Sequence, residues 1–374
     1  MGKNMDIWSD ERLVLTLDAG GTNMVFAAVC GGHFVGQTIT LPSNASDLRL
    51  CLEGMVRGFE TVISSLEGRK PSAISFAFPG PADYPSGIIG GYLPNFPSFR
   101  DGVALGPFLQ EKFGLPVFIN NDGDLFAFGE ALGGVLPEIN KKLEDSGSPK
   151  RFHNLIGYTF GTGFGIGIVI DGRLNRGDNS CVETFCLKHP DYDDVIVEEG
   201  VSIRALKRVY GELTGNPAHG LEPKELGAIA RGEAPGDRIA AIKTFEKMGL
   251  VAGDAVASAL TLIDGLVVIG GGIMNNREFL MPGILRSLRG KMRQLSGERL
   301  GRVQMEVFDL DDSDQFASFV RGSARKIKVF GSEKEVVYDP QKRTGVITSK
   351  MGASKAIALG AYAFALSELD KIIY

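Results

Sequence analysis

Apolar and polar positions along this chain of 374 residues fall into short blocks whose period changes in a regular order. Leu13-Val14-Leu15-Thr16-Leu17 is an apolar run that ends at Asp18-Ala19-Gly20-Gly21-Thr22. A second run, Met24 to Val29, follows at once, and a turn at Gly31-Gly32 leads into His33-Phe34-Val35. The pattern reads strand, glycine turn, strand, hairpin. From Ala45 to Leu66 the period becomes helical, with Leu48, Cys51, Leu52, Met55, Phe59 and Val62 on one face. Ala73 to Phe78 then reads as a buried strand stopped by Pro79-Gly80-Pro81, residues 102–113 as a helix, and Leu115 to Ile119 as the next strand. Asn120-Asn121-Asp122-Gly123-Asp124 closes that strand, and residues 125–132 continue as a helix.

The second half repeats the opening. Leu155 to Phe160 is apolar, Gly161-Thr162-Gly163-Phe164-Gly165 is a Gly/Thr turn, and Ile166 to Ile170 is a strand that turns at Asp171-Gly172-Arg173. Residues 202–210, 238–262 and 275–293 read as helices. A strand at Gly265 to Ile269 ends in Gly270-Gly271-Gly272. Strand-like runs lie within 326–348, and residues 354–369 form a last amphipathic helix. Strands alternating with helices predict an α/β fold, and the repeated opening predicts two duplicated lobes facing one ligand.

Composition narrows the picture. The apolar fraction of 44% suffices for two ordinary cores, and the 50 glycines are nearly double the usual share of roughly 7%. They gather in turns between strands, where a backbone can approach a ligand closely. The net charge of −5, without a basic run, excludes nucleic acid as the main partner. Four cysteines, Cys30, Cys51, Cys181 and Cys186, form no CxxC and no disulfide framework, which fits a reducing cytoplasm. No stretch is apolar for the roughly 18 residues a membrane span requires, and residues 1–6 hold no signal core.

The glycine turns carry the first chemistry. Backbone N–H groups without a Cβ in the way can cradle phosphates, and a carboxylate at the bend, Asp18, can hold a metal ion through water. Asp122 reads two ways: as an N-cap of the following helix, or as a base at the C-terminal end of a strand, where open α/β sheets place ligands. Asn121 reads as a turn residue or a ligand to a hydroxyl. Gly270, Gly271 and Gly272 read as a strand-to-helix turn or as room for a nucleoside. Cys181, Cys186 and His189 are three soft ligands, but a closed zinc site wants four and no fourth is evident. His153 and His219 read as surface histidines.

Taken in order, these motifs resemble the ROK family of sugar kinases, a branch of the actin/hexokinase/Hsp70-like ATPases, over about Leu13 to Leu369. The motifs are Asp18 to Asn23, Phe78-Pro79-Gly80-Pro81 with Leu93-Pro94-Asn95-Phe96, Asn120-Asn121-Asp122, Phe160 to Gly165, and the helix and strand from Gly253 to Gly272. The resemblance implies an α/β fold of two ribonuclease-H-like lobes with a cleft between them. Residues 1–123 would form the smaller lobe, completed by the C-terminal helix 354–374, and 124–353 the larger. It implies ATP-dependent phosphorylation of a hexose hydroxyl, glucokinase-like, at the 6-position. The alternatives are an N-acetylated amino sugar such as N-acetylmannosamine or N-acetylglucosamine, a sugar-responsive repressor, or a sugar sensor without catalysis. About a dozen residues precede the first strand, too few for a helix-turn-helix domain.

By the same resemblance, Asp122 is the general base. Gly80, Asn95, Asn121, Glu183 and Glu198 (or Glu199, one register on) bind the sugar. Gly20, Gly21, Thr22, Asn23, Gly161, Thr162 and Gly163 bind phosphates, Gly270 to Gly272 bind the adenosine, and Asp18 holds Mg²⁺ through water. A homodimer is implied. One stretch departs from the family, which usually has Glu-x-Gly-His followed by a cysteine-rich zinc loop. Here it reads Glu183-Thr184-Phe185-Cys186, and only Leu187 to Val197 separates it from Glu198. Zinc is therefore not expected, and packing by Phe185 and Tyr192 is expected to hold these loops.

Overall fold

The computed structural model describes residues 6–217 and 220–372; the extreme N-terminus and His219 lie outside the described residues. The chain divides into two compact units. The first takes the N-terminal residues to Gly134, then Gly167–Val182, then Met351 onward; the second takes Val135–Ile166 and Glu183–Lys350.

The N-terminal part of the first unit runs β1 (Val14–Ala19), β2 (Asn23–Cys30), β3 (His33–Pro42), α1 (Leu48–Ser64), β4 (Ala73–Ala77), β5 (Ala82–Asp83), β6 (Ile88–Ile89), α2 (Leu105–Phe113), β7 (Val117–Asn120) and α3 (Asp122–Gly133). Its sheet has the order β3-β2-β1-β4-β7, with the first three antiparallel and β1, β4 and β7 parallel. Helix α1 starts because the Asp47 side chain accepts from Leu50 N at 3.0 Å, and it buries Cys51, Met55, Phe59 and Val62. Phe59 meets Phe26 of β2 edge-on at 5.1 Å.

Next come α4 (Val135–Asp145), β8 (Leu155–Phe160), β9 (Phe164–Ile170), β10 (Arg173–Leu174), α5 (Ile203–Thr214), α6 (Pro223–Arg231), α7 (Arg238–Ile263), β11 (Leu266–Gly270) and α8 (Arg277–Leu288). They are followed by β12 (Lys291–Arg293), β13 (Arg299–Gly301), β14 (Glu306–Asp309), α9 (Ser313–Arg321), β15 (Arg325–Lys328), β16 (Glu335–Tyr338), β17 (Arg343–Thr348) and α10 (Ala353–Ile372). The second sheet has the order β10-β9-β8-β11-β17-β14, and the boundary between units falls inside β9. Its opening strands repeat the plan of β1 to β3, as the sequence repeat predicts. Within the first unit α10 crosses α3 at Gly129 and Gly360. A Cβ on Gly129 would run into the Ala356 carbonyl, and one on Gly360 into that of Leu125, so only glycine lets these helices approach so closely.

The helix expected over 275–293 ends at Leu288. Gly290 breaks it, and Met292, 60% exposed, points into solvent on β12 instead of extending a buried face. Helices α4, α6 and α9 are not among the expected helices, although α4 buries Val135, Leu136, Ile139 and Leu143 at helical spacing and α6 buries Leu226, Ile229 and Ala230. In α9 only Phe319 is buried.

Candidate active site

In the first unit the functional residues gather at the C-terminal ends of β1, β4 and β7. Register sets Asp18 beside Ala77 and Ala77 beside Asn120, so three parallel strands finish at one level. The turn after Asp18 is held by Gly20 N donating to Asn23 O at 3.0 Å, and by Ser43, whose N donates to Thr22 O at 2.9 Å and whose Oγ donates to Gly21 O at 2.5 Å. These bonds fix the turn from behind and leave Asp18, Gly21, Thr22 and Asn23 exposed. Asn95 lies against this turn, its Cβ at 3.3 Å from where a Gly21 Cβ would stand. Tyr84 donates to the Phe78 carbonyl at 2.8 Å, its hydroxyl sits at 3.0 Å from the Gly80 Cβ position, and Asn121 Nδ2 reaches that hydroxyl at 3.5 Å. The structure thus brings Asp18, Gly21, Asn95, Gly80, Asn121 and Asp122 into one neighbourhood.

The cap of α3 is Asn121, not Asp122. Asn121 Oδ1 accepts from Gly123 N at 2.8 Å, and Asp122 is the first residue of the helix. Asp122 Oδ1 also accepts from Gly123 N at 2.8 Å. The density of protein around its carboxyl pushes its pKa above the ordinary aspartate value, the Asp18 carboxylate adds to the rise, and the bond from Gly123 N opposes it. Solvent reaches Asp122, so the rise is smaller than full enclosure would give. Behind it lies a group the sequence did not flag. Asp124 is buried, and its pKa is pushed up to about 7, chiefly by burial and then by the Asp122 charge, while Arg176 opposes the shift. Arg176 Nη1 donates to Asn120 Oδ1 at 2.9 Å and lies over the Phe364 ring at 5.2 Å. Asp124 stood in the loop read from the sequence, but nothing local tied it to Arg176, 52 positions further on.

In the second unit the Gly161 turn is closed by Gly161 N donating to Gly163 O at 3.1 Å and by Ile203 N donating to Gly161 O at 3.0 Å. Glu198 braces this turn: its Oε2 accepts from Phe164 N at 3.1 Å, and its Oε1 pairs with Arg204 at 2.8 Å. Arg204 also holds Glu199 at 2.8 Å. Gly271 has φ +96°, and a Cβ there would strike the Phe160 carbonyl, so its glycine is required by the approach to β8. Gly272 next to it faces open space, as does Gly161, and Thr162 is exposed. Glu183 is partly buried.

The loop before Glu198 is not held by Phe185 and Tyr192, which are 39% and 51% exposed. Its own backbone closes it: His189 N donates to Val195 O at 2.8 Å, Val197 N to Leu187 O at 2.7 Å, and Glu198 N to Phe185 O at 3.2 Å. Buried His189 accepts from Asp191 N through Nδ1 at 3.1 Å and packs on Tyr192, and its burial lowers its pKa. Cys181 and Cys186 are exposed, as is His153. Among the described residues no group of three His, Cys, Asp or Glu side chains could hold a metal ion.

Two lobes, each opening with a strand, a glycine turn and a strand, and a carboxylate at the strand ends define the actin-like class of sugar-kinase and ATPase folds. The sequence model of the ROK family matches residues 14–184. The glucokinase of Parabacteroides distasonis is 54% identical, covers 97% of this chain and 99% of its own, and superposes with a TM-score of 0.89. The chain belongs to the ROK family. The glucokinase of Thermotoga maritima is 25% identical over 290 residues, 71% of this chain and 84% of its own. Other curated relatives match over less of their length: 60% for an uncharacterized Clostridium perfringens protein, and 23% for the xylose repressor of Bacillus spizizenii.

Proposed function

We propose that this chain is an ATP-dependent hexose kinase, glucokinase-like and acting at the 6-hydroxyl, that works as a cytoplasmic homodimer. The observation that carries the reading is Asp122. It starts α3 just past the end of β7, inside the N-cap position that Asn121 takes, with Oδ1 on Gly123 N, and close enough to Asp18 to feel its charge. Likeness to the Parabacteroides distasonis glucokinase over nearly the whole chain supports the same reading.

Phosphoryl transfer asks for a base on the acceptor hydroxyl and for electrostatic support of the phosphates. Asp122 takes the proton of the sugar hydroxyl, and its raised pKa brings it nearer to the operating pH than an ordinary aspartate. Gly80, Asn95 and Asn121 of the first unit are candidates for sugar hydroxyls, as are Glu183 and Glu198 of the second, Glu198 through lone pairs not used on Phe164 N and Arg204. The turns at Gly20 to Asn23 and Gly161 to Gly163 meet the phosphates with backbone N–H groups other than those of Gly20 and Gly161, which close the turns, and Gly270 to Gly272 take the adenosine. Asp18 is an exposed oxygen donor at a strand end, the kind of ligand Mg²⁺ uses through water, and the ion bound there would offset phosphate charge.

The test is a coupled ADP-release assay over hexoses and N-acetylated amino sugars, run on the parent and on Asp122→Asn. The variant folds and loses about 10²–10⁴-fold in turnover, the range a positioned general base contributes. An Asp122→Asn enzyme within a few fold of the parent on the best sugar sinks the assignment. Sugar binding with no turnover on any sugar in the panel points instead to a sensor.

A further inference from the structure

Beyond the two main sheets, the second unit carries two small hairpins, β12–β13 and β15–β16. The β15–β16 hairpin has two unlike faces. Its register sets Ile327 opposite Val336 and Arg325 opposite Tyr338. Residues two apart on a strand share a face, so Ile327, Val336 and Tyr338 form one apolar face with Arg325 at its end. The opposite face is charged, with Lys328 pairing with Glu333 at 2.9 Å and Lys326 with Glu335 at 3.7 Å. The apolar face is partly open to solvent. Ile327 and Val336 are each 40% exposed, Tyr338 is 47% exposed, and Phe330 at the turn is exposed completely.

The foot of the hairpin is tied to the rest of the second unit. Asp339, directly after β16, pairs at 2.5 Å with Arg343, whose side chain is fully buried, and it accepts from Ser323 N at 3.4 Å. A lone two-stranded hairpin is marginal in water and needs packing on one face to hold its shape. Here a tied foot presents an apolar face that stays partly open to solvent.

We propose that this face packs on the same face of a second copy of the chain, about a two-fold axis, with the hairpins antiparallel. The patch is self-complementary in the way a two-fold contact requires. Its centre is aliphatic. Its two ends differ, with Arg325 at the foot and Phe330 at the tip, so antiparallel packing sets a guanidinium on an exposed aromatic ring at each end. The charged face cannot substitute, because its ion pairs would lose water. From their exposures, Ile327, Val329, Phe330, Val336 and Tyr338 offer on the order of 500 Å² per copy, or about 1,000 Å² in the pair, the lower bound for a specific interface.

The proposal rests on the homodimer reading and not on the sugar-kinase reading. The experiment is light scattering with size-exclusion chromatography, and sedimentation for the Kd, on the full chain and two variants. Ile327→Lys places a charge on the apolar face and Val337→Lys places one on the opposite face. The parent is dimeric at micromolar concentration, Ile327→Lys weakens the dimer at least about tenfold, and Val337→Lys does not. Circular dichroism of both variants matches the parent. A dimer that Ile327→Lys leaves intact overturns this surface alone, and equal weakening by both lysines overturns the choice of face. A parent that stays monomeric overturns the homodimer as well, and the kinase reading survives each of these outcomes.

Discussion

Removing Asp339 tests how the second unit is held together. Arg343 opens β17, a strand inside the second sheet, and its side chain is fully buried. Asp339 Oδ2 accepts from its Nη1 at 2.5 Å, Gln341 Oε1 lies at 3.4 Å, and the guanidinium sits over Phe319 at 5.5 Å. Nε and Nη2 have no partner, so one carboxylate carries most of the compensation. Asp339→Ala leaves a buried cation with a long amide contact and a ring face. Breaking a buried pair in this way costs about 3–5 kcal/mol, and the contacts that survive place the expected loss near about 3 kcal/mol. That is a large part of the roughly 5–15 kcal/mol that holds a domain together. Urea unfolding followed by circular dichroism measures it. The single tryptophan, Trp8, lies in the first unit, so its fluorescence should report a transition that moves little. The second replacement Arg343→Met, added to Asp339→Ala, should recover most of the loss, because an apolar side chain needs no counter-charge. pH gives an independent reading. Arg343 holds the Asp339 pKa below the usual aspartate value despite the opposing effect of burial. A lowered pKa means the contribution is fully present above the unfolded value of about 3.9 and is lost as pH falls through the folded value. The parent should therefore lose stability through that acid window, and Asp339→Ala should not lose this share. A loss below about 1 kcal/mol at neutral pH, or an acid limb identical in parent and variant, would refute the argument.

Asp18→Ala raises the magnesium concentration needed for half-maximal turnover and lowers turnover, while calorimetry finds sugar affinity without nucleotide little changed; a collapse of that affinity moves Asp18 to the sugar side. Gly271→Ala meets both the positive φ and the Phe160 carbonyl, so denaturant unfolding should show a loss on the order of 1–3 kcal/mol, and a neutral result contradicts the close approach. Elemental analysis of the purified protein finds no stoichiometric zinc; about one zinc per chain, lost to chelator together with activity, restores a metal site built on Cys181, Cys186 and His189.

The strands that carry the site were legible because each is a short apolar run that ends in glycine or in a cluster of Asn and Asp. Asp18, Asp122 and both glycine turns stand at such ends, where period and punctuation agree. Asn121 and Asp122 show where that reading fails. Two adjacent capping residues look alike in sequence, both side chains accept from Gly123 N, and only backbone geometry decides which residue stands at the N-cap. Arg176 was invisible for a different reason: its meeting with Asn120 depends on how distant segments of the first unit come together. The β12–β13 hairpin escaped because its strands are three residues long and Met292 and Leu300 lie exposed, so no buried face imposes a period, whereas the strand-like runs within 326–348 include β16.

The stretch from Glu183 to Glu198 shows how the chain manages where it departs from its family. A metal loop fixes geometry by strong bonds to a few side chains. Leu187 to Val197 instead fixes it with backbone hydrogen bonds, with buried His189 turned inward to Asp191 N. The end of that loop delivers Glu198, which spends one oxygen on Phe164 N and the other on Arg204. The first contact ties the loop to the residue that follows the glycine turn, and the second ties it to α5, whose Ile203 N donates to Gly161 O. A segment that departs from the family's metal-loop pattern thus positions that turn, and Cys186 is free to be an exposed residue.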